Sequence, residues 1–314
     1  MRSSSLPVAF ARGSAALEEL VHSRDVRVVL YLNQVEPNFR MLRFAAPVHV
    51  QIGHGESDKG SSVTNQHKAY DLVFVGGDAG RERLSEALRG FDGESRTRSV
   101  GRPQLDHSYP GAPNWHRDSG WRVLYAPTWE GDRPSIAYGS LVSHGQSIIA
   151  ALMADDGARI VYRPHPRTGQ ASAAHAIADR KIRGMLREAG DRHLVDLGSY
   201  GWQWDFADSC VTDISAVAYD WLATGKPLVV TEPAEPRTFR PPSALLDRLP
   251  LLRADQARQV VQLLRRMGQG PDGSDQVSAR TELAWLVHHY FGDTESAAST
   301  LRFEAAIKQA RARP

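Results

Sequence analysis

The sequence lacks most of the features that place a protein in a specialised class. Its 314 residues include a single cysteine, Cys210, which excludes an intramolecular disulfide and a metal site built from several cysteines. No stretch approaches the ~20 apolar residues that a membrane span requires. The formal net charge is only +2 at pH 7, so no general polyanion-binding surface is indicated, and nucleic acid is not an expected partner.

Signature motifs for phosphate and metal chemistry are also missing. The sequence has no Gly-x-x-x-x-Gly-Lys-Ser/Thr loop, no His-Glu-x-x-His pair and no Asp-x-Asp pair. We therefore expect no cofactor and a reaction that is independent of metal. The opening residues are too polar and interrupted for a secretory signal. We expect a cytoplasmic protein, and peripheral attachment to the inner face of the cell membrane stays open.

Short apolar runs alternate with helical patterns along the chain, which predicts an α/β fold with parallel sheets covered on both faces. A polar, Gly- and Pro-rich stretch in the middle indicates a crossover between two halves. We place a shortened N-terminal Rossmann-like domain at 1–105, a linker at 106–120 and a C-terminal Rossmann-like domain with a helical tail at 121–314. Predicted strands are residues 26–32, 48–52, 72–75, 121–126, 158–162, 193–197, 210–212, 228–230 and 249–252.

The segment 208–232 is typical of a strand, a polar turn, a helix and a second strand. In such a unit the carboxyl end of the first strand is where ligands bind, and the start of the helix presents N–H groups to an anion. Asp213 and Ser215 lie in this turn and are candidates for phosphate binding. The alternative is that Asp213 only caps the helix.

Polar residues also follow the other predicted strands. After residues 48–52, His54 stands between two glycines and is a candidate general base, although an isolated loop histidine is more often structural. After residues 158–162, two prolines hold Arg163 and His165 in a rigid Arg-Pro-His-Pro run that fits a diphosphate better than a simple turn. After residues 121–126, Thr128 offers a hydroxyl to phosphate. Trp129 there is suited either to stacking on a base or to packing between domains.

Taken together, these segments resemble the CDP-glycerol glycerophosphotransferase family of teichoic-acid and capsule synthesis. The motifs occur in the family's order: GHGESDKG from Gly53, VGRPQLD from Val100, LYAPTWEG from Leu124, YRPHP from Tyr162, the segment VTDISAVAYDWLATGKPLV, and YFGDTESAAST from Tyr290. Each motif is modest alone, but six in order are specific as a set.

The resemblance implies a GT-B fold with the acceptor side in the first domain and the CDP-donor site in the second. It implies transfer of glycerol phosphate, or of a related polyol phosphate, from a CDP-activated donor to an acceptor hydroxyl, with release of CMP. The expected partners are CDP-glycerol or a similar CDP-polyol and a glycan or lipid-linked polyol-phosphate acceptor. On this resemblance His54 is the base and His165 a second catalytic residue. The implied substrate-binding residues are Arg163, Thr128, Asp213, Ser215, Lys59 and Trp129.

Three departures from the family pattern keep alternatives open. Glu56 replaces the usual threonine, Ala216 replaces the second of two serines, and the first half is short. One alternative is a GT-B glycosyltransferase or nucleotide-sugar epimerase that uses a UDP-sugar. The other is a non-catalytic nucleotide-binding relative.

Overall fold

The computed structural model describes residues 6–53, 55, 57–58, 63–115, 120–240, 242–249, 251–268 and 274–313. The chain forms two parallel β-sheets, as the alternating strand and helix patterns predict. The first sheet has the order β1-β2-β3-β4, with strands β1 (Val28–Tyr31), β2 (Val48–Gln51), β3 (Leu72–Val75) and β4 (Thr97–Ser99).

The second sheet is larger and has the order β10-β9-β8-β5-β6-β7. Its strands are β5 (Trp121–Ala126), β6 (Ala158–Tyr162), β7 (Leu194–Val195), β8 (Ser209–Thr212), β9 (Leu228–Thr231) and β10 (Leu251–Leu252). The central strands β8 and β9 are buried at every residue, because helices cover both faces of a parallel sheet.

Helices connect the strands and form the C-terminal part of the chain. They are α1 (Ser14–Ser23), α2 (Asp78–Ala87), α3 (Gly93–Arg96), α4 (Gln146–Met153), α5 (Ala173–Glu188), α6 (Gln203–Phe206), α7 (Ala216–Leu222), α8 (Ala244–Arg248), α9 (Val260–Gly268), α10 (Ser274–Phe291) and α11 (Ala298–Arg311). A π-helical turn, Leu141–Gly145, leads directly into α4. No helix in the described part of the chain is long and apolar enough to cross a membrane.

The last helix lies against the first sheet although it ends the chain. Ala306 and Ala310 of α11 pack on Val50 and Phe74, while Leu84 of α2 packs on the opposite face of the sheet. The segment 121–314, assigned from the sequence to the second domain, therefore also contributes to the core of the first. The domain boundaries themselves stay a prediction.

Some elements differ from the sequence-based expectations. No strand was predicted between residues 75 and 121, but α3 and β4 lie there, and β4 completes the first sheet. The sequence of β4, Thr97–Ser99, has no apolar residue, so hydrophobic periodicity could not predict this strand. Within the described residues, the segment between β2 and β3 contains a short 3-10 helix at Asn65–Ala69.

Candidate functional site

The order of the second sheet creates a crevice between two strand ends. From β5 the chain continues to β6 and β7 on one side and then returns to β8 on the other side of β5. The carboxyl ends of β5 and β8 flank this switch point, where ligands of open α/β sheets bind. Thr128 follows β5 and Ser215 follows β8, so the fold brings two predicted site residues to one crevice.

Asp213 is buried at this crevice, and its carboxylate accepts hydrogen bonds from several segments of the chain. One carboxylate oxygen, Oδ2, accepts hydrogen bonds from the backbone N–H groups of Thr128 (2.7 Å) and Ser140 (3.1 Å). The other, Oδ1, accepts one from the Thr231 hydroxyl (2.6 Å). Burial raises the pKa of the Asp213 carboxyl, and these hydrogen bonds act in the opposite direction. Asp213 therefore ties together the ends of β5, β8 and β9.

The alternative interpretation, in which Asp213 caps the helix, is wrong. Helix α7 begins at Ala216, and the residue at its N-cap is Ser215, whose side chain makes no capping hydrogen bond. The Ser215 hydroxyl instead lies 3.4 Å from the hydroxyl of Thr212, which itself donates to the carbonyl of Ala126. Ser215 and Thr128 are both largely buried, so the surface of the crevice at this turn is formed by exposed Ala216.

His165, Trp129 and Arg167 form a cluster beside the crevice, and we call these three residues the aromatic–cation cluster. The rings of Trp129 and His165 stack with centroids 6.4 Å apart, and the Arg167 guanidinium carbon lies 3.6 Å from the Trp129 ring centroid. The backbone N–H of Arg167 donates to His165 Nδ1 (3.1 Å). A neutral His165 must then carry its proton on Nε2, where it is a hydrogen-bond donor.

Arg163, expected on a diphosphate, is held elsewhere. Its Nη1 lies 2.5 Å from Asp196 Oδ2, and its guanidinium also donates to the carbonyls of Gly198 and Ser199. Both partners of the ion pair are largely buried. The Arg163 guanidinium therefore holds the loop after β7, because its N–H groups point at that loop. Arg167, which directly follows the Arg-Pro-His-Pro run, is the exposed arginine.

Glu130 holds the loop that carries the aromatic–cation cluster. Its carboxylate accepts hydrogen bonds from the backbone N–H groups of Gly169 (3.0 Å), Ala171 (2.8 Å) and Ser172 (3.0 Å). Burial opposes the charge, but hydrogen bonds from the backbone and nearby His175 lower the pKa of the Glu130 carboxyl. The sequence gives no spacing that would single out Glu130, because its partners are amides about 40 residues away in the chain.

A cavity of about 570 Å³ opens at the carboxyl edge of the first sheet. Gly53 and Gly55 line it, and so does Ala216 from the second half of the chain. A Cβ built on Gly55 would lie 3.8 Å from the Ala216 Cβ, so the loop after β2 meets the turn before α7 across the cleft. The predicted residues His54 and Lys59 lie outside the described residues.

Two polar contacts link the halves around this cavity. Arg102, after β4, pairs with Asp220 on α7, and Asp58, after β2, accepts a hydrogen bond from the Tyr290 hydroxyl on α10. Burial, together with Asp58, raises the pKa of Tyr290. No local sequence pattern predicts these contacts, although Arg102 and Asp220 lie inside two of the motifs. Within the described residues, no three His, Cys, Asp or Glu side chains come together as a metal site.

The profile of one protein family matches the chain. CDP-Glycerol:Poly(glycerophosphate) glycerophosphotransferase matches residues 56–235, more than half of the sequence, which includes the crevice and the aromatic–cation cluster. The chain belongs to this family. The resemblance stated from the motifs is confirmed, and the chain is a member of a glycerophosphotransferase enzyme family. No curated protein sequence matches it.

Solved structures share the fold at low sequence identity. The wall teichoic acid polymerase TagF, as a variant soaked with CDPG, is 12% identical with a TM-score of 0.58, covering 90% of this chain and 71% of TagF. A protein from Listeria monocytogenes assigned as a UDP-N-acetylglucosamine 2-epimerase is 13% identical with a TM-score of 0.62, covering 97% and 82%. The S. aureus MnaA–UDP co-structure is 15% identical with a TM-score of 0.57, covering 97% and 81%. The expected GT-B-like fold is confirmed.

Proposed function

We propose that this glycerophosphotransferase-family chain transfers glycerol phosphate, or a related polyol phosphate such as ribitol phosphate, from a CDP-activated donor to an acceptor hydroxyl in teichoic-acid or capsule synthesis. Family membership supports the reaction class. The observation that supports the proposed site is the aromatic–cation cluster, because His165 and Arg167 follow β6, the strand next to the β5–β8 switch point at which ligands of such sheets bind.

In the proposed reaction, the acceptor oxygen forms a bond to the phosphorus that bears the glycerol. The bond from that phosphorus to the bridging oxygen breaks, and CMP leaves with the electron pair. The acceptor proton passes to a general base, which we assign to His54 because it stands between the glycines that line the cleft cavity.

The remaining residues position and neutralise the donor. The Nε2–H of His165 donates to a diphosphate oxygen as charge develops on CMP, and Arg167 supplies a positive charge nearby. Thr128 and Ser215 border the crevice that receives the nucleotide, and we assign Lys59, from the segment that follows β2 in the sequence, to donor binding as well. Asp213 and Arg163 act through the backbone and the loop that they hold. The proposal needs no metal and no cofactor.

Product analysis tests this reaction. The purified chain is incubated with a glycerol-phosphate-primed acceptor and one donor per reaction, which is CDP-glycerol, CDP-ribitol or UDP-N-acetylglucosamine. The released CMP and UDP are measured by chromatography. We expect CMP release that depends on acceptor. His54→Ala should lower kcat by about 10²–10⁴-fold, which is typical for loss of a proton-transfer group. His165→Asn should lower kcat by about 10²–10³-fold, which is typical for loss of a hydrogen-bond donor to developing negative charge.

His22→Asn is the matched control, because His22 is exposed on α1 and far in sequence from both histidines. Release of UDP without CMP would favour the UDP-sugar alternative. Tight CDP-glycerol binding with no turnover in any acceptor assay would favour the non-catalytic alternative.

A further inference from the structure

The cleft cavity on the first sheet has a chemically selective lining. Its described polar residues are amides, histidines, arginines, a serine and a tyrosine, and none of its described lining residues is acidic. The two arginines in this lining, Arg83 and Arg102, are paired with Asp58 and Asp220, so their charges are already balanced. The amides are therefore the lining groups that suit a ligand with hydroxyl groups.

Gln51 is the lining residue with an unmet hydrogen-bonding requirement. It ends β2, is only 4% exposed, and its Oε1 is buried without a hydrogen-bond partner. A buried acceptor that lacks a hydrogen bond destabilises the folded protein, so proteins keep few of them. A ligand that donates a hydrogen bond to this oxygen would remove that destabilisation.

The neighbouring amide of Gln34 provides the contrast. Its Nε2 lies 2.9 Å from His67 Nε2, and its Oε1 accepts a hydrogen bond from the Thr64 hydroxyl (3.1 Å). The other ring nitrogen of His67 bonds to the carbonyl of Thr64 (3.0 Å). Gln34 is therefore committed to the protein, whereas the oxygen of Gln51 is left for a ligand.

We infer that Gln51 accepts a hydrogen bond from a hydroxyl of the acceptor's terminal polyol phosphate, an inference that rests on the proposed function. Gln51 lies two strand residues before Gly53, about 7 Å along the chain from the loop that carries the proposed base. The hydroxyl that it binds is thus a non-reacting one, and the reacting hydroxyl points towards Ala216 and the donor. Gln51 is a specificity-determining residue that selects an acceptor with a second hydroxyl.

The test compares sn-glycerol 3-phosphate with n-propyl phosphate, which has the same carbon chain and phosphate but no hydroxyl. In calorimetric titrations, we expect the wild-type chain to prefer glycerol 3-phosphate by roughly tenfold. Gln51→Leu should abolish this preference and leave CDP-glycerol binding unchanged. Gln66→Leu makes the same change at an exposed glutamine that does not line the cavity, and it should retain the wild-type preference.

A second variant covers the case in which Gln51→Leu does not fold. Gln51→Glu has almost the same shape and keeps an oxygen acceptor, so it should retain the preference for the hydroxylated ligand while binding both phosphates more weakly. Equal binding of the two ligands by wild type, or a preserved preference in Gln51→Leu, would overturn the assignment.

The outcomes separate this inference from the proposed function. If the chain fails to release CMP but Gln51→Leu still abolishes the preference, the polyol-phosphate site stands and the proposed reaction falls. If CMP is released and the preference does not depend on Gln51, the reaction stands and the role of Gln51 is wrong.

Discussion

Arg102 and Asp220 form an ion pair between the two halves of the chain. Arg102 Nη2 lies 2.5 Å from Asp220 Oδ1, and the two side chains are only 12% and 10% exposed. A Cβ built on Gly55 would lie 3.6 Å from Arg102 Nη2, so the same guanidinium also borders the loop after β2. The pair therefore fixes how α7, and with it the Ser215 turn, faces the first sheet.

Breaking this pair should destabilise the protein more than an exposed pair would. Removing one partner of a buried ion pair leaves an uncompensated charge, so we expect Arg102→Gln and Asp220→Asn each to lower the free energy of unfolding by about 3 kcal/mol. The double variant should lose less than the sum of the two, because no lone charge remains. Urea denaturation of all four proteins measures the coupling.

Arg253→Gln is the matched control, since Arg253 pairs with Asp255 at the surface with both side chains more than half exposed. It should leave the urea midpoint unchanged. Additive losses in the double variant would show that Arg102 and Asp220 do not stabilise one another.

The two arginines of the Arg-Pro-His-Pro-Arg run should respond differently to the same substitution. Arg163→Gln removes the partner of buried Asp196, so it should lower the urea midpoint, and any loss of activity should follow from instability. Arg167→Gln removes an exposed guanidinium from the Trp129 ring and should raise the Kd for CDP-glycerol by roughly tenfold with little change in stability. Calorimetry and urea denaturation on both variants check this. The reverse pattern would restore the original assignment of Arg163 to the diphosphate.

This difference shows what the sequence could and could not predict. Strands β5 and β6 were predicted to the residue, because continuous apolar runs bounded by polar turns mark buried parallel strands. Thr128 follows β5 and Ser215 follows β8, and the two residues come together because these strands are neighbours in the sheet. The sequence could not predict the direction of a side chain that follows a strand. Arg163 turns to Asp196, a residue 33 positions later, and no local pattern encodes that partner.

The same limit explains the roles of Asp213 and α11. An aspartate before a helix favours capping by local rules, yet Asp213 accepts hydrogen bonds from residues 85, 73 and 18 positions away. Helix α11 has an apolar stripe that any sheet could cover, and only the tertiary structure shows that it packs on the first.

Ala216 offers a gain-of-function test. The resembling family has two serines where this chain has Ser215 and Ala216, and Ala216 is the exposed member that faces the cleft cavity. A hydroxyl at this position would add a donor at the crevice, so Ala216→Ser should lower the Kd for CDP-glycerol by up to roughly tenfold. Ala216→Cys, whose side chain is similar in size to that of serine but whose S–H is only a weak donor, is the matched control and should improve binding less. An unchanged Kd in Ala216→Ser would place the donor phosphates away from this turn.

His193 should make stability depend on pH. Burial, together with Arg192 and Arg159, lowers the pKa of His193 to about 4, and its Nδ1 accepts the backbone N–H of Ile160. In the unfolded chain a histidine titrates near about 6.5. Between these values the unfolded state binds the proton and the folded state does not, so stability falls as the pH drops from about 6.5 to about 4. The loss should be on the order of 2 kcal/mol in the free energy of unfolding.

The variant His193→Asn tests this prediction. Asparagine keeps an oxygen for the Ile160 amide but cannot titrate, so the free energy of unfolding of the variant should fall less than that of wild type between pH 7 and pH 4.5. Urea denaturation at both pH values measures the difference. The contributions of the other titrating groups cancel in the comparison, because both proteins share those groups. Parallel pH profiles would show that His193 does not couple folding to protonation.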